Sequence, residues 1–221
     1  MTPPNANSPC PLGEALRRES SALLIIDMQN DFCAPGGYID TVMGKDVGTA
    51  QAICGTVTRL LRAARAGNVP VVWIRADYST QRIPASMRRK QQQRGITAVC
   101  CEPGTWGADW FCVRPRDGEP VITKHTYSGF ANTQLHALLR ARDIGTLVLA
   151  GVQTQVCVES TARDAHSLGY TCVVPRDAVA SHTPALHDAS LMNMQFLLGD
   201  VCAADDVLDA WSSPCLSSLS N

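Results

Sequence analysis

Short apolar runs that end in a polar or charged residue limit how this chain can fold more than any other feature. The first run is Ala22 to Ile26, and it ends at Asp27. A strand buried on both faces has such an unbroken run, whereas a strand with one solvent-facing side alternates apolar and polar residues. Further runs predict five more strands, at 69–74, 120–123, 146–150, 171–174 and near 201.

Amphipathic segments separate the predicted strands. From Val47 to Ala64 the apolar residues recur at steps of three and four, and Gly67 follows, which predicts a helix with a glycine stop. Other helices are predicted at 133–142, 154–168, 184–198 and 203–211. Strands that alternate with helices form parallel sheets through right-handed crossovers. We therefore expect an α/β fold, a single-domain three-layer α/β/α sandwich with a mostly parallel, six-stranded Rossmann-like sheet.

The chain has 221 residues, which is long enough for one sizeable core. Residues 1–20 are rich in Pro, Asn and Ser, so we expect a poorly ordered lead-in there. Residues 21–211 are expected to form the folded domain. Residues 212–221 are rich in Ser and are expected to be a C-terminal tail.

The net charge of -1 gives no electrostatic reason to expect a nucleic acid or an anionic membrane as a partner, so a small-molecule ligand is expected. Ten cysteines are present, yet the first twenty residues contain no apolar signal-peptide segment, and we expect a cytoplasmic protein. Buried free thiols are then favoured over disulfides, with Cys54 and Cys172 acting as small hydrophobic residues. Cys100, Cys101 and Cys112 lack the paired spacing of a zinc site.

Three ionisable residues are predicted at the carboxyl ends of the strands, where parallel sheets bind ligands: Asp27, Lys124 and Cys157. Thr154 is predicted to cap a helix, which puts Cys157 in the first turn, where the helix dipole stabilises a thiolate. Each residue also has a structural interpretation, as a turn former, a solvated strand end or a packed thiol. Together they favour a nucleophile whose proton a carboxylate can take, beside a lysine that lowers the pKa of both.

Three segments resemble, in order and spacing, the signature regions of isochorismatase-like cysteine hydrolases: Leu24 to Phe32, Lys124 to Phe130 and Gly151 to Val158. The resemblance extends over about residues 22–211. It implies a six-stranded parallel sheet, with Cys157 as the nucleophile, Asp27 as the base and Lys124 as their partner. It also implies a thioester intermediate that forms from an amide.

The same resemblance implies a cis peptide bond between Val152 and Gln153 and an oxyanion hole formed by the backbone N–H groups of Gln153 and Cys157. It further implies a homo-oligomer, either a dimer or a tetramer. Within the family, three segments look most similar to ureidoacrylate and biuret amidohydrolases, at residues 35–38, 127–130 and 157–164. We therefore expect a small ureido or carbamoyl amide as the substrate, and no cofactor.

No metal is expected, on the same comparison with the family. Nicotinamidase relatives carry an Asp and two His as metal ligands after the second strand. Here Asp77 stands at that place, but no histidine follows it as far as Gln81.

Six residues are candidates for substrate contacts: Asn30, Phe32, Trp106, Tyr127, Phe130 and Gln195. The aromatic ones can equally be core residues, and Gln195 can lie on an exposed helix face. A basic cluster favours a solvated surface or a lid, with carboxylate binding as the alternative, and consists of Arg88, Arg89, Lys90 and Arg94.

Three functions are compatible with these patterns. The first is cysteine-dependent hydrolysis of a C–N bond in a small ureido or carbamoyl amide or a lactam. The second is hydrolysis of a vinyl ether, as in isochorismatase itself, where the thiol position is commonly not cysteine; Cys157 argues against it. The third is a non-catalytic thiol protein that uses the same fold for binding or for a redox response.

Overall fold

The computed structural model describes residues 11–212, so most of the predicted tail and residues 1–10 of the predicted lead-in lie outside the described residues. Residues 11–20 contain helix α1 (Pro11–Ala15) and a 3₁₀ turn at Arg18–Ser20. Leu16, between them, is buried in the core. Within residues 11–212, no helix is long and apolar enough to cross a membrane.

Within the described residues, seven strands form one sheet in which every strand pair is parallel. They are β1 (Ser21–Ile26), β2 (Val71–Ala76), β3 (Val121–Lys124), β4 (Thr146–Val152), β5 (Thr171–Pro175), β6 (Val179–Ala180) and β7 (Gly199–Cys202). The order is β3-β2-β1-β4-β5-β7, and β6 pairs with the end of β4. The six predicted strands are all present. The seventh, β6, is two residues long, which is too short to give a recognisable apolar run.

Helices and turns connect the strands. The longer helices are α4 (Gly48–Ala52) and α5 (Cys54–Ala66), α6 (Ala85–Gln93), α7 (Leu135–Arg140), α8 (Glu159–Ser167), α9 (Pro184–Asn193) and α10 (Ala204–Ser212), with the short helices α2 (Asn30–Cys33) and α3 (Tyr38–Thr41) after β1. Single π-helical turns precede α8 at Thr154–Val158 and follow α9 at Met194–Leu198. Further 3₁₀ turns lie at Trp106–Ala108 and Arg176–Ala178.

Both faces of the sheet are covered, as the unbroken apolar run of β1 predicts. On one face Leu23 and Ile25 pack in a core with residues of α5 and α10. On the other face Leu24 and Ile26 pack in a second core with residues of α7 and α8. Full burial of each such side chain contributes about 1.5–3 kcal/mol, so the two cores hold the strand tips in place. The predicted three-layer α/β/α sandwich is confirmed.

The cysteines depart from the prediction at one pair. Cys54 at the start of α5 forms a disulfide with Cys112, whereas the sequence favoured a free, buried thiol at Cys54. The two residues are separated by 58 positions, so only the tertiary placement of α5 beside residue 112 reveals the pairing. The other cysteines of the described region are free and buried, as predicted: Cys33, Cys100, Cys101, Cys157, Cys172 and Cys202.

The crossover from β2 to β3, at residues 77–120, is as long as the connection from β1 to β2 at residues 27–70, and part of it lies over the carboxyl edge of the sheet. It carries α6 and the turn at Trp106–Ala108. Backbone hydrogen bonds attach it to the segment after β1, from the Phe111 N–H to the Met28 carbonyl at 2.8 Å and from the Asn30 N–H to the Asp109 carbonyl at 2.9 Å. The crossover therefore closes one side of the space above the strand tips.

Candidate active site

The three predicted ionisable residues meet at the carboxyl edge of the sheet. Asp27 directly follows β1, Lys124 ends β3, and Cys157 lies in the π turn after β4. The Lys124 Nζ lies 2.8 Å from Oδ2 of Asp27 and 3.3 Å from Sγ of Cys157. All three are buried, with exposed fractions of 0% for Lys124, 1% for Asp27 and 4% for Cys157. An acid, a base and a thiol thus share one pocket that excludes most water.

Tyr78 is a fourth member of this cluster that the sequence did not indicate. Its hydroxyl accepts a hydrogen bond from Lys124 Nζ at 2.9 Å and lies 3.7 Å from Sγ of Cys157. The Thr126 carbonyl accepts another bond from the same ammonium group at 3.2 Å. The available signal was position alone, because Tyr78 comes two residues after the end of β2 and hence at the same sheet edge.

The charges of the cluster follow from its burial. Burial raises the pKa of Asp27 above its ordinary value, against the opposing effect of Lys124. Burial and the Asp27 charge together raise the pKa of Cys157 to about 12, although Lys124 lowers it. For Lys124, burial lowers the pKa, but the attraction of Asp27 and Cys157 outweighs it and the net shift is upward. These shifts favour a protonated thiol at Cys157 before substrate binds, in contrast to the stabilised thiolate that the sequence predicts.

The helix that carries Cys157 begins differently from the prediction. Thr154 is the first residue of the π turn, and no side-chain hydrogen bond caps the helix at Gln153. The Thr154 hydroxyl is instead hydrogen-bonded to Nδ1 of His187 at 2.9 Å. The predicted N-cap role of Thr154 is therefore wrong, because α9 offers its hydroxyl a partner that the local sequence does not show. Cys157 nevertheless lies in the first turn.

The segment before Cys157 adopts an unusual backbone. The peptide bond between Val152 and Gln153 is cis. Gly151 has a φ of +119°, and a Cβ at this position would collide with the backbone carbonyl of Ile26 in the neighbouring strand. The side-chain oxygen of Gln153 accepts a hydrogen bond from the His182 N–H at 3.0 Å. The glycine and this hydrogen bond fix how the chain passes from β4 to the nucleophile.

A cavity of about 210 Å³ opens onto Cys157. Its aromatic walls are Phe32, Tyr38, Tyr78 and Tyr127, and its apolar walls include Met43, Met87, Ile96 and Val156. Polar groups reach it from Lys90, Gln91, Arg94, Gln153 and His182. Pockets for drug-sized ligands usually have volumes of about 300–1,000 Å³, so this one suits a smaller molecule. Of the six candidate substrate contacts, Phe32 and Tyr127 line it.

The other four candidates do not line the cavity. Phe130 is buried in the core against Tyr170, with ring centroids 5.7 Å apart. Trp106 is 54% exposed, and its carbonyl accepts the side-chain N–H of Asn30 at 2.8 Å, which occupies that amide in a structural role. Gln195 is exposed and accepts the Val201 N–H at 2.9 Å. Their closeness to the motifs in sequence did not determine the direction of their side chains.

Arg88, Arg89 and Lys90 of the basic cluster lie in helix α6, and Arg94 directly follows it, where the sequence favours a solvated surface or a lid. Met87, Lys90, Gln91 and Arg94 lie along one side of this helix and line the cavity, whereas Arg89 does not. The spacing of these four residues is i, i+3, i+4 and i+7, the pattern of one helix face. That spacing was the available signal, but the polar composition of the segment concealed it.

Two groups of residues are relevant to metal binding. Donor atoms of Asp31, Cys100 and Cys101 lie within 4.8 Å of one another. The Asp31 carboxylate already accepts backbone N–H groups from Cys101 at 2.6 Å and Tyr38 at 3.1 Å, so it has a structural role.

Asp77 stands at the position where nicotinamidase relatives carry the first of their metal ligands. Its carboxylate, like that of Asp31, already has partners within the protein. Its carboxylate accepts the Ser79 N–H at 3.1 Å and lies 3.3 Å from Nε of Arg82. A guanidinium cation therefore occupies the position beside this carboxylate.

Comparison with known proteins points to the same family of hydrolases as the arrangement of the site. The family model for the isochorismatase domain matches residues 21–206. A ureidoacrylate amidohydrolase, RutB of Enterobacter sp. (strain 638), is 34% identical over 220 residues, which is 91% of this chain and 93% of the relative.

Among solved structures, a cysteine hydrolase from Pseudomonas syringae pv. phaseolicola 1448A is 25% identical, with a TM-score of 0.77 over 96% of this chain and 98% of the other. An N-carbamoylsarcosine amidase from Thermoplasma acidophilum is 27% identical, with a TM-score of 0.68 over 84% and 97%. The matches span nearly the whole domain, including the strand tips that carry Asp27, Lys124 and Cys157. The chain therefore belongs to the isochorismatase-like family of cysteine hydrolases.

Proposed function

We propose that this protein hydrolyses a C–N bond of a small ureido or carbamoyl amide, with Cys157 as the nucleophile. One observation carries the proposal: Sγ of Cys157 opens onto a small cavity and lies 3.3 Å from Lys124 Nζ, which is paired with Asp27 at 2.8 Å. A thiol beside a buried carboxylate and ammonium has both a proton acceptor and a fixed positive charge.

The first step is attack on the substrate carbonyl. Asp27 takes the proton from the Cys157 thiol while Sγ forms a bond to the carbonyl carbon. The raised pKa of Asp27 suits it to accept this proton, because a more basic carboxylate is a better proton acceptor. Lys124 remains charged and compensates the negative charge that moves from the carboxylate to the sulfur and the substrate.

The carbonyl oxygen becomes negatively charged in the tetrahedral intermediate. The proposed donors to it are the backbone N–H groups of Gln153 and Cys157, two residues that line the cavity. Removal of one such donor in other enzymes costs about 2.7–4 kcal/mol of transition-state stabilisation. The oxyanion hole is therefore expected to contribute several kcal/mol of transition-state stabilisation.

The intermediate then collapses with cleavage of the C–N bond. The leaving nitrogen takes the proton held by Asp27 and departs as ammonia, which leaves an acyl group on Sγ as a thioester. For a ureido substrate this acyl group is a carbamoyl group. A water molecule gives a proton to Asp27 and attacks the thioester carbon, and the sulfur leaves and regains the proton as a thiol. The product of a ureido substrate is a carbamic acid, which breaks down to carbon dioxide and an amine.

Size and polarity support this substrate class. A cavity of about 210 Å³ with aromatic walls suits a small planar amide. The names of two relatives, a ureidoacrylate amidohydrolase and an N-carbamoylsarcosine amidase, denote enzymes of ureido and carbamoyl compounds. Because the carbonyl of a urea is stabilised by resonance, its attack needs both a strong nucleophile and preorganised donors.

The test measures ammonia release from biuret, a ureido acid, a carbamoyl acid and nicotinamide, and pyruvate release from isochorismate, each as a separate substrate. We expect a higher kcat/KM for at least one compound of the first group. Preference for nicotinamide or isochorismate by tenfold, about 1.4 kcal/mol, would contradict the substrate assignment.

The nucleophile is tested separately. Cys157→Ser should abolish turnover, whereas Cys172→Ala, at another buried free thiol in β5, should keep it. Iodoacetamide should inactivate the protein with modification at Cys157, and substrate should slow the reaction. Activity of Cys157→Ser above a trace on the best amide would show that another group attacks the carbonyl.

A further inference from the structure

The cavity above Cys157 has a positively charged wall. Lys90 in helix α6 and Arg94 directly after it reach the cavity, and none of the described residues that line it has a carboxylate. Asp27 lies below the cavity floor, is only 1% exposed, and is neutralised by Lys124 at 2.8 Å. The chain as a whole has a net charge of -1, so this positive wall is a local feature of the site.

Neither cation has an acidic partner in the part of the chain that the structure describes. In residues 11–212 no salt bridge joins Lys90 or Arg94 to an acidic side chain, whereas Arg82 pairs with Asp77 and Lys124 pairs with Asp27. Both side chains are exposed, so a ligand that enters the cavity can reach their charges.

The position of Arg94 is also defined by its neighbours. Burial raises the pKa of Tyr127, and the charge of Arg94 opposes that rise. Burial likewise raises the pKa of Tyr38 to about 12, again against the effect of Arg94. Both tyrosines line the cavity, so the guanidinium lies on the cavity side of α6.

We propose that Arg94, assisted by Lys90, binds a carboxylate at the end of the substrate away from the scissile amide, and so makes the enzyme selective for ureido or carbamoyl acids over neutral ureas. This inference rests on the proposed function and adds the charge of the substrate to it. A guanidinium group can bind both carboxylate oxygens through two parallel N–H bonds, which fixes the orientation of the substrate as well as its affinity.

The experiment compares two ureas that differ in the carboxylate, 3-ureidopropionate and propylurea. The wild-type protein should favour 3-ureidopropionate by at least about tenfold in kcat/KM. Arg94→Gln should reduce this ratio by about 10- to 100-fold, mainly through KM, as expected for the loss of a charged hydrogen bond. Arg89→Gln, on the same helix but outside the cavity wall, is the matched control and should keep the wild-type ratio.

A second measurement does not depend on turnover. 3-Ureidopropionate should slow the alkylation of Cys157 by iodoacetamide in the wild-type protein and should do so much less in Arg94→Gln. In the wild-type protein, propylurea should protect Cys157 less than 3-ureidopropionate does. If neither urea is hydrolysed, the proposed function is wrong, but the protection of Cys157 still shows whether Arg94 binds the carboxylate. A preference or a protection that is the same in Arg94→Gln as in the wild type would overturn the inference.

Discussion

The hydroxyl oxygen of Tyr78 lies 2.9 Å from the ammonium nitrogen of Lys124, which donates a hydrogen bond to it. Lys124 therefore has four neighbours that fix its position: Asp27, Cys157, Tyr78 and the Thr126 carbonyl. An ammonium group has three donors, so these contacts engage all of its hydrogen-bonding capacity. Tyr78 is a positioning residue, which acts on the reaction through Lys124.

Replacement of Tyr78 by Phe removes this acceptor and keeps the ring. We expect kcat/KM for the best amide to fall about tenfold, or about 1.4 kcal/mol, which is the lower end of the range for a hydrogen bond to a charged group. Tyr170→Phe is the control, because its hydroxyl is paired with His136 at 3.0 Å, outside the cavity. Equal activity of Tyr78→Phe and the wild type would exclude the positioning role.

The pH dependence of the reaction follows from Asp27. The carboxyl must be ionised to accept the thiol proton, and burial raises its pKa above the ordinary value of 3.8. Activity should therefore be lost as the pH falls through this raised pKa, at a higher pH than for an exposed aspartate. The profile of kcat/KM between pH 4 and 9 measures it. A profile that stays flat down to pH 4 would argue against Asp27 as the base.

The response to metal removal is predicted from Asp77. Its carboxylate is engaged by the Ser79 N–H and by Arg82, which leaves it poorly suited to bind a cation. Dialysis against a strong chelator should leave the rate unchanged. A loss of activity that zinc or manganese restores would contradict this prediction.

Gly151 is predicted to be required for stability. Alanine there would adopt a φ of +119° and press its Cβ against the Ile26 carbonyl. We expect Gly151→Ala to lower the free energy of unfolding by about 3 kcal/mol. Gly55→Ala is the matched control, because Gly55 lies within α5 with open space around it, and it should raise stability by about 0.5–1 kcal/mol. Urea unfolding of the wild type and both variants measures these changes. Equal unfolding midpoints for Gly151→Ala and the wild type would refute the prediction.

The sequence predicts the sheet well because its information is local. The apolar run of β1 and the helical spacing of α5 each depend on neighbouring residues, and parallel topology then brings every strand tip to one edge. For that reason the sequence alone predicts that Asp27, Lys124 and Cys157 lie together.

The residues that the sequence missed depend on tertiary structure. Tyr78 follows a strand as many core aromatics do, and only its contact with Lys124 distinguishes it. Phe130 and Trp106 flank the site in sequence, but one faces the core and the other faces solvent. The disulfide of Cys54 could not be foreseen, since a pairing over 58 residues depends on how distant segments pack.

The crossover at residues 77–120 has a consequence for how such an enzyme can diversify. The nucleophile and base are held by the central strands, whereas the charged wall of the cavity comes from α6, within this single excursion. Substrate preference and bond-breaking chemistry thus reside in different parts of the chain. Exchange of residues 81–96 between relatives should transfer specificity as a module, and random libraries confined to α6 should yield altered substrate ranges without loss of the nucleophile.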